Sequence, residues 1–437
     1  MTRGVRRPIA GIATGVATMA LLSSLTGCGN KSPISPIAPL SPLPSASADW
    51  PALPDSDKFD PPTRFDAAAG GLLDVTAEPA EVLMHQNTVV VPMHQSDGLA
   101  NEEVRLVDAG TGKLRTVVRP THHLPSGSRV EVRPALVTVD GTTSVLIPFL
   151  GETQGEGTTP GRFVIELLSV DPVAGTTNWT TTITIAPRTE GALPSDVDVS
   201  VVGVTDGIGI IRLSSRNDES RAFAVNLTTH TEAWKTQGFE AVAVADGIVA
   251  GTKPDKRSKY DEKILGVDAR TGQQRWVSPR NTSVVTASSG GPTYFVATGY
   301  DNDGNRPFLD VMATATGRAV RSTQNLGTER RHLSACQYDD RSTTVCGSLD
   351  WVGALDATTG RWLWSFTKDN GRLVPTVTGA WHGAVYGRTD NGPLVLDART
   401  GADRETRPGV APSVVNGRLG VGPSKYGSGA SVYPALG

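Results

Sequence analysis

The side chains here that could do chemistry are few. They are three cysteines, one pair of adjacent histidines and one Asp/Asn-rich loop. Cys336 and Cys346 flank Gln-Tyr-Asp-Asp-Arg-Ser-Thr-Thr-Val, with turn residues at the centre. A hairpin centred near Arg341 sets the two thiols opposite each other, with Cα atoms about 4.5–5.5 Å apart, within disulfide reach. Outside the cytoplasm the pair is expected to be oxidised; two separate buried thiols are the alternative. The closed loop is short, so the chain-entropy gain is about 2–3 kcal/mol and the expected role is to pin one hairpin's register. The spacing fits no zinc pattern. His122 and His123 lie between Pro120 and Pro125, where neighbours on an extended chain point apart and chelate poorly; a loop position is expected. Asp301-Asn-Asp-Gly-Asn305 begins like a calcium loop, but Gly304 falls at the fourth position and Met312 stands where the final Glu is needed. It reads as a connection between strands. No Gly-x-Ser-x-Gly elbow and no phosphate loop occur. The basic run Lys253, Lys256, Arg257 and Lys259 is flanked by Asp255, Asp261 and Glu262 and reads as a solvated loop. The expectation is no catalytic, cofactor-binding or metal-binding residue.

Cys28 has a different context. Arg3, Arg6 and Arg7 precede an uncharged stretch, Ile9 to Leu25, that ends in Leu25-Thr26-Gly27-Cys28. A basic start, an apolar run and small residues at its end are the pattern of a secretory signal, not of a membrane span. Leu-Thr-Gly-Cys resembles a bacterial lipobox. That resemblance implies cleavage before Cys28 and transfer of a diacylglyceryl group to its sulfur. An ordinary secreted chain with a chance cysteine is the alternative. Two acyl chains suffice for stable anchoring, so the expected location is the cell membrane, lipid-anchored, on the extracytoplasmic side. Removing residues 1–27 removes three arginines and no acid, so the remainder is more acidic than the net −3 of the whole chain. That argues against nucleic acid as a partner, which calls for a concentrated basic face.

These residues must be held by something, and the rest of the chain shows what. Residues 28–65 form a Ser/Pro-rich linker, as in Ser-Pro-Ile-Ser-Pro-Ile-Ala-Pro-Leu, and proline at this density is expected to keep a stalk extended. Ile34, Ile37 and Leu40 leave a binding role open. From about residue 82 the chain repeats. One half-unit is a short apolar strand ending in Asp, two variable residues, Thr-Gly, and a second strand with Trp four residues after the Gly. The copies start at Asp108, Asp171, Asn226, Asp268, Ala313, Asp356 and Asp397, the later ones 41 to 45 residues apart. Trp179, Trp234, Trp276 and Trp364 take the aromatic position. The Asp closes the turn by accepting from its amides, the Gly takes a positive φ, and the Trp offers a wide ring to pack between sheets. The other half-unit is a hairpin around Asp140-Gly141, Asp206-Gly207, Asp246-Gly247 or Asn416-Gly417, with less regular versions at Gln86-Asn87, Gly290-Gly291, Asp339-Asp340 and His382-Gly383. Two halves give four strands, the size of a propeller blade. The last hairpin lacks a partner half, so a strand near Leu72 to Pro79 is expected to complete it.

The Asp-Ala-x-Thr-Gly-x-x-x-Trp run resembles the repeat of the quinoprotein-like propellers, over roughly residues 82–434. The resemblance implies an all-β fold: a β-propeller of four-stranded antiparallel blades over 66–437, with eight blades expected and seven as the alternative. It is also similar to the propeller lipoprotein of the outer-membrane protein assembly machine, which is lipid-anchored and engages a protein partner. The function expected on that footing is a non-enzymatic binding or scaffold protein with an unidentified protein partner. The alternative is an enzyme like the dehydrogenases that use pyrroloquinoline quinone (PQQ). Those carry a cation held by Glu, Asn and Asp, and commonly adjacent cysteines over the cofactor; this chain has no Cys-Cys pair. No cofactor is therefore expected.

Overall fold

A computed structural model describes residues 60–436, apart from 75–76, 94–102, 125–129, 188–196, 216–219, 256–260, 281, 302–305, 325–334, 369–370 and 426. Cys28, the signal-like start and residues 28–59 of the linker lie outside the described residues, as do Asn302 to Asn305 of the Asp/Asn-rich loop. Among the described residues no helix is long and apolar enough to cross a membrane.

The described chain is built from strands. They fall into sets of four, in sequence order: set A (83–118), set B (135–187), set C (197–237), set D (240–277), set E (282–324), set F (335–367), set G (376–405) and set H (414–434), whose fourth strand is Gly71–Asp74. Within each set the strands are antiparallel neighbours. Sets D and E join into one eight-stranded sheet through Asp261↔Ser283 and Glu262↔Thr282. Gly71–Asp74 lies antiparallel to Ala430–Pro434, so the first and last described strands meet in set H.

The first strand of each set touches the first strand of the next, and the contact between sets H and A returns to the start. Set C carries a fifth strand, Val130–Arg133, which pairs parallel to Val197–Ser200 on the inward edge. The core lies between faces of neighbouring sets, as where Ile208, Ile210, Ala222 and Ala224 of set C meet Ala241, Val249 and Leu265 of set D and Phe239 just before it.

The folded part begins earlier than residue 66. Pro61, Pro62 and Phe65 are buried, although they fall in the stretch assigned to the linker. Phe65 bridges Ala435, and the Tyr386 hydroxyl donates to the Pro62 carbonyl at 2.9 Å. Proline bars a ladder but not burial, and an aromatic three residues after Pro62 supplies the anchor.

Candidate functional site

The repeat motif accounts for its own polar groups. Asp268 Oδ1 accepts from the amides of Arg270 and Thr271 and from the Thr271 hydroxyl, each at 3.0 Å. Asp356 and Asp397 are bound the same way. Burial opposes their charge, but the hydrogen bonds within the turn outweigh it and hold Asp268 and Asp356 below the usual carboxylate range. Gly272 sits at φ 69° and returns its amide to the Asp268 carbonyl. The next four-residue offset brings Trp276, whose indole N–H donates to the Thr314 carbonyl of set E at 3.1 Å. Trp234 donates to Ala269 and Trp364 to Ala398, both at 2.8 Å. Each ring covers the turn glycine of the next set: Trp234 over Gly272, Trp276 over Gly317 and Trp364 over Gly401. The expected packing of Trp between sheets is therefore seen, with a hydrogen bond that spacing alone did not foretell.

The hairpins are equally regular. Asp140-Gly141, Asp206-Gly207 and Asp246-Gly247 have positive φ at both positions, as two-residue turns between twisted strands require. The backbone amide of the residue after the motif Asp, in Ala269 and Ala398, donates to the carbonyl of Gly247 or Gly383 in the hairpin of its own set. Both kinds of tight turn thus lie at one end of the sets, the turn end. The other end, the loop end, carries the connections from second to third strand and from one set to the next.

A cleft of ≈ 370 Å³ opens at the loop end between sets F and G. Leu349, in the connection 348–350, is 89% exposed beside it, and Leu373 is also exposed. Val374 completes an apolar floor, and Lys368, Arg372 and Arg388 bring positive charge to the walls beside one carboxylate, Asp390. Lys368 pairs with Asp350. Arg372 pairs with Asp403 and lies over the Phe366 ring at 4.2 Å. Arg388 is exposed and has no partner among the described residues. An apolar floor of this exposure beside an unpaired cation is a surface fit for a ligand.

Elsewhere at this end several charges are matched by partners within the described residues. Arg280 bridges Asp301 at 3.0 Å and Asp310 at 3.2 Å, and lies over the Phe308 ring. Burial pushes the Asp310 carboxyl up; Ser322 and Arg280 pull it back without cancelling the rise. Glu166 of set B, buried, accepts from the amides of Thr121 and His122 and faces His122 Nδ1 at 3.1 Å. His123 is exposed, so the two histidines do not converge. Cys336 and Cys346 are direct register partners with Cα atoms 4.1 Å apart, joined as a disulfide in the first hairpin of set F. No sequence signal marked the Leu349 cleft, since an exposed leucine in a connection is indistinguishable from any other until its neighbours are known.

The fit of a quinone with its cation can be tested on this geometry. Among the described residues no three His, Cys, Asp or Glu side chains converge as a metal ion needs. The two described cysteines are bound to each other across strands, not adjacent over a ring plane. On the inward edge of set C stand Glu131 and Arg133, which are paired with each other and, through Arg133, with Asp198. No step is derived through that cofactor.

Four-stranded antiparallel sets whose first strands contact in succession define a β-propeller. No family model matches the chain, and no curated relative matches it. Among solved structures it is similar to BamB from Moraxella catarrhalis, with 15% identity, a TM-score of 0.42, and coverage of 84% of this chain and 96% of that one. A europium-containing methanol dehydrogenase is similar at 10% identity and a TM-score of 0.46, covering 87% and 94%. The Dos1 propeller follows at 13% identity and 0.41, covering 79% and 75%.

Proposed function

We propose that this chain is a lipid-anchored, extracytoplasmic propeller of eight blades that binds a protein partner through its loop end and catalyses no reaction. Sets A to H are read as the eight blades. The cyclic contact of their first strands and the closure of set H by Gly71–Asp74 support that count. The anchor reading rests on Leu25-Thr26-Gly27-Cys28 and on the Ser/Pro-rich stretch that follows.

One observation carries the binding reading: the cleft between sets F and G, where exposed Leu349 and Leu373 meet the unpaired Arg388. The partner that fits is a protein segment with apolar and acidic side chains. Apolar side chains give affinity on the leucines, and a carboxylate takes the guanidinium in a two-pronged bond. The test is Leu349→Asp with Arg388→Glu. Both groups are exposed, so folding stability should stay within about 0.5 kcal/mol. Crosslinking in native membranes should capture a protein with the parent chain and about tenfold less with the variant. Equal capture by both overturns the site. Dye reduction by the purified protein with the quinone and calcium overturns the non-enzymatic reading. For the anchor, Cys28→Ser should abolish lipidation; a variant still held and processed at the same bond overturns it.

A further inference from the structure

The junction between sets B and C departs from the other three that carry a Trp, and beside it lies a cleft. At the regular junctions the turn residues under the Trp are small. Ala269 and Gly272 sit under Trp234, and Ala398 and Gly401 under Trp364. Set C carries Leu227 and His230 at those two places. His230 keeps the left-handed backbone of the glycine it replaces, at φ 57°, so the turn itself survives. What changes is the space above it. Trp179 of set B stacks on the His230 ring, with centroids 4.4 Å apart and planes 20° from parallel. Its indole N–H, which at three other junctions is bound to a carbonyl, has no partner among the described residues.

Beside the displaced ring opens a cleft of ≈ 190 Å³ at the turn end. Trp179, Leu146 and Leu227 form apolar walls, and Ser144, Ser169 and Asn178 bring polar groups to it. The Asn178 amide lies 3.4 Å from the Ser144 hydroxyl. No charged side chain lines it. The volume is below the ~300–1,000 Å³ of clefts that take drug-sized ligands, so it suits a single ring.

The geometry points to a binding site for a neutral pyranose. Such a ring has an apolar C–H face and an equator of hydroxyls. The apolar face suits an indole and leucine wall, and the hydroxyls need groups that both donate and accept, which serine hydroxyls and an asparagine amide supply. An uncharged lining gives no counter-ion to a phosphate or carboxylate. A free sugar and the same ring within a glycan share this chemistry. The site lies at the opposite end from the Leu349 cleft and does not depend on it.

The full chain should be titrated with methyl glucoside, methyl mannoside and a soluble glucan, following Trp emission and calorimetric heat. Glucose 6-phosphate and benzyl alcohol serve as charged and purely apolar controls. Binding of a neutral pyranoside in preference to both controls is expected, and the ratio of glycoside to glucan tells the free sugar from the chain-borne one. Asn178→Ala, at an exposed position, should weaken binding about tenfold and leave folding unchanged. Leu227→Ala with His230→Gly installs the residues of the regular junctions. Trp179 should then dock, its emission shift to the blue, and pyranoside binding be lost. Failure of every pyranoside to bind overturns the site. Preference for benzyl alcohol, or undiminished binding by the restored double variant, does the same.

Discussion

Two junctions of this ring, D with E and B with C, start from the same sequence rule and end differently. In both, a Trp stands four residues after the turn's closing position. Between D and E the receiving turn ends in Gly317, and Trp276 lies flat over it with its N–H bound to Thr314. Between B and C the turn ends in His230, and Trp179 stacks on that ring instead. The docking rule therefore lives in the receiving turn more than in the tryptophan. Where the turn offers a glycine, the ring is a structural rivet. Where it offers a side chain, the ring is released to line a cleft.

The D/E junction has a second fastening, and removing it should have the largest effect. Arg280 compensates Asp310, which is 3% exposed. Arg280→Met leaves a buried carboxylate without its cation and should cost about 3–5 kcal/mol by urea denaturation at neutral pH. The sign with pH follows from the raised Asp310. Between its unfolded value and its higher folded value the folded state holds the proton and the unfolded state does not. Stability thus falls as pH rises through the folded pKa. Losing Arg280 raises that pKa further, so the variant should lose stability over a wider pH range than the parent and regain part of it in acid. A pH-independent loss would mean that Arg280 acts by packing alone.

A smaller effect is expected from the rivet's seat. Gly317 has φ 66°, and a Cβ there would fall inside the Trp276 ring. Gly317→Val combines left-handed strain with overpacking and should cost about 2–4 kcal/mol. The comparison itself is at stake: His230 shows that a turn can carry a side chain when the Trp above it moves aside. If Gly317→Val costs nothing and leaves Trp276 emission unchanged, the glycine is not the seat.

How far the sequence disclosed this follows from how local each feature is. Asp268-Ala-Arg-Thr-Gly272 is a turn whose bonds close within five residues, so its form was legible, and the Asp-Gly hairpins were legible for the same reason. Even Ala313-Thr-Ala-Thr-Gly317, without the Asp, makes the turn, because the Gly317 amide still reaches the Ala313 carbonyl. The strand Val130–Arg133 was not legible: its parallel partner is more than sixty residues away and no local turn announces it. Burial of Pro61, Pro62 and Phe65 was hidden by a proline-rich composition that describes the backbone and not its surroundings. Both clefts were invisible, since Leu349 and Leu373 come from different connections. The cavity at Trp179 depends on what residues 227 and 230 do to a ring in the preceding set.

The smallest expected effect is the sharpest test of the two kinds of tryptophan. Replacing Trp by Phe keeps an aromatic ring and removes the indole N–H. At Trp234 that N–H is bound to the Ala269 carbonyl at 2.8 Å, and the ring covers Gly272. Trp234→Phe should therefore cost about 1 kcal/mol for the hydrogen bond, plus a contribution from the narrower ring, in a mostly covered place. At Trp179 the N–H has no partner among the described residues, and the stacking on His230 is open to a Phe ring as well. Trp179→Phe should lose only part of the apolar contact. The two variants differ by the same atoms, so the difference between their urea midpoints, multiplied by a common slope, isolates the docked bond. An equal loss at both positions would show that Trp179 is held as firmly as Trp234, and the distinction between rivet and released ring would fail.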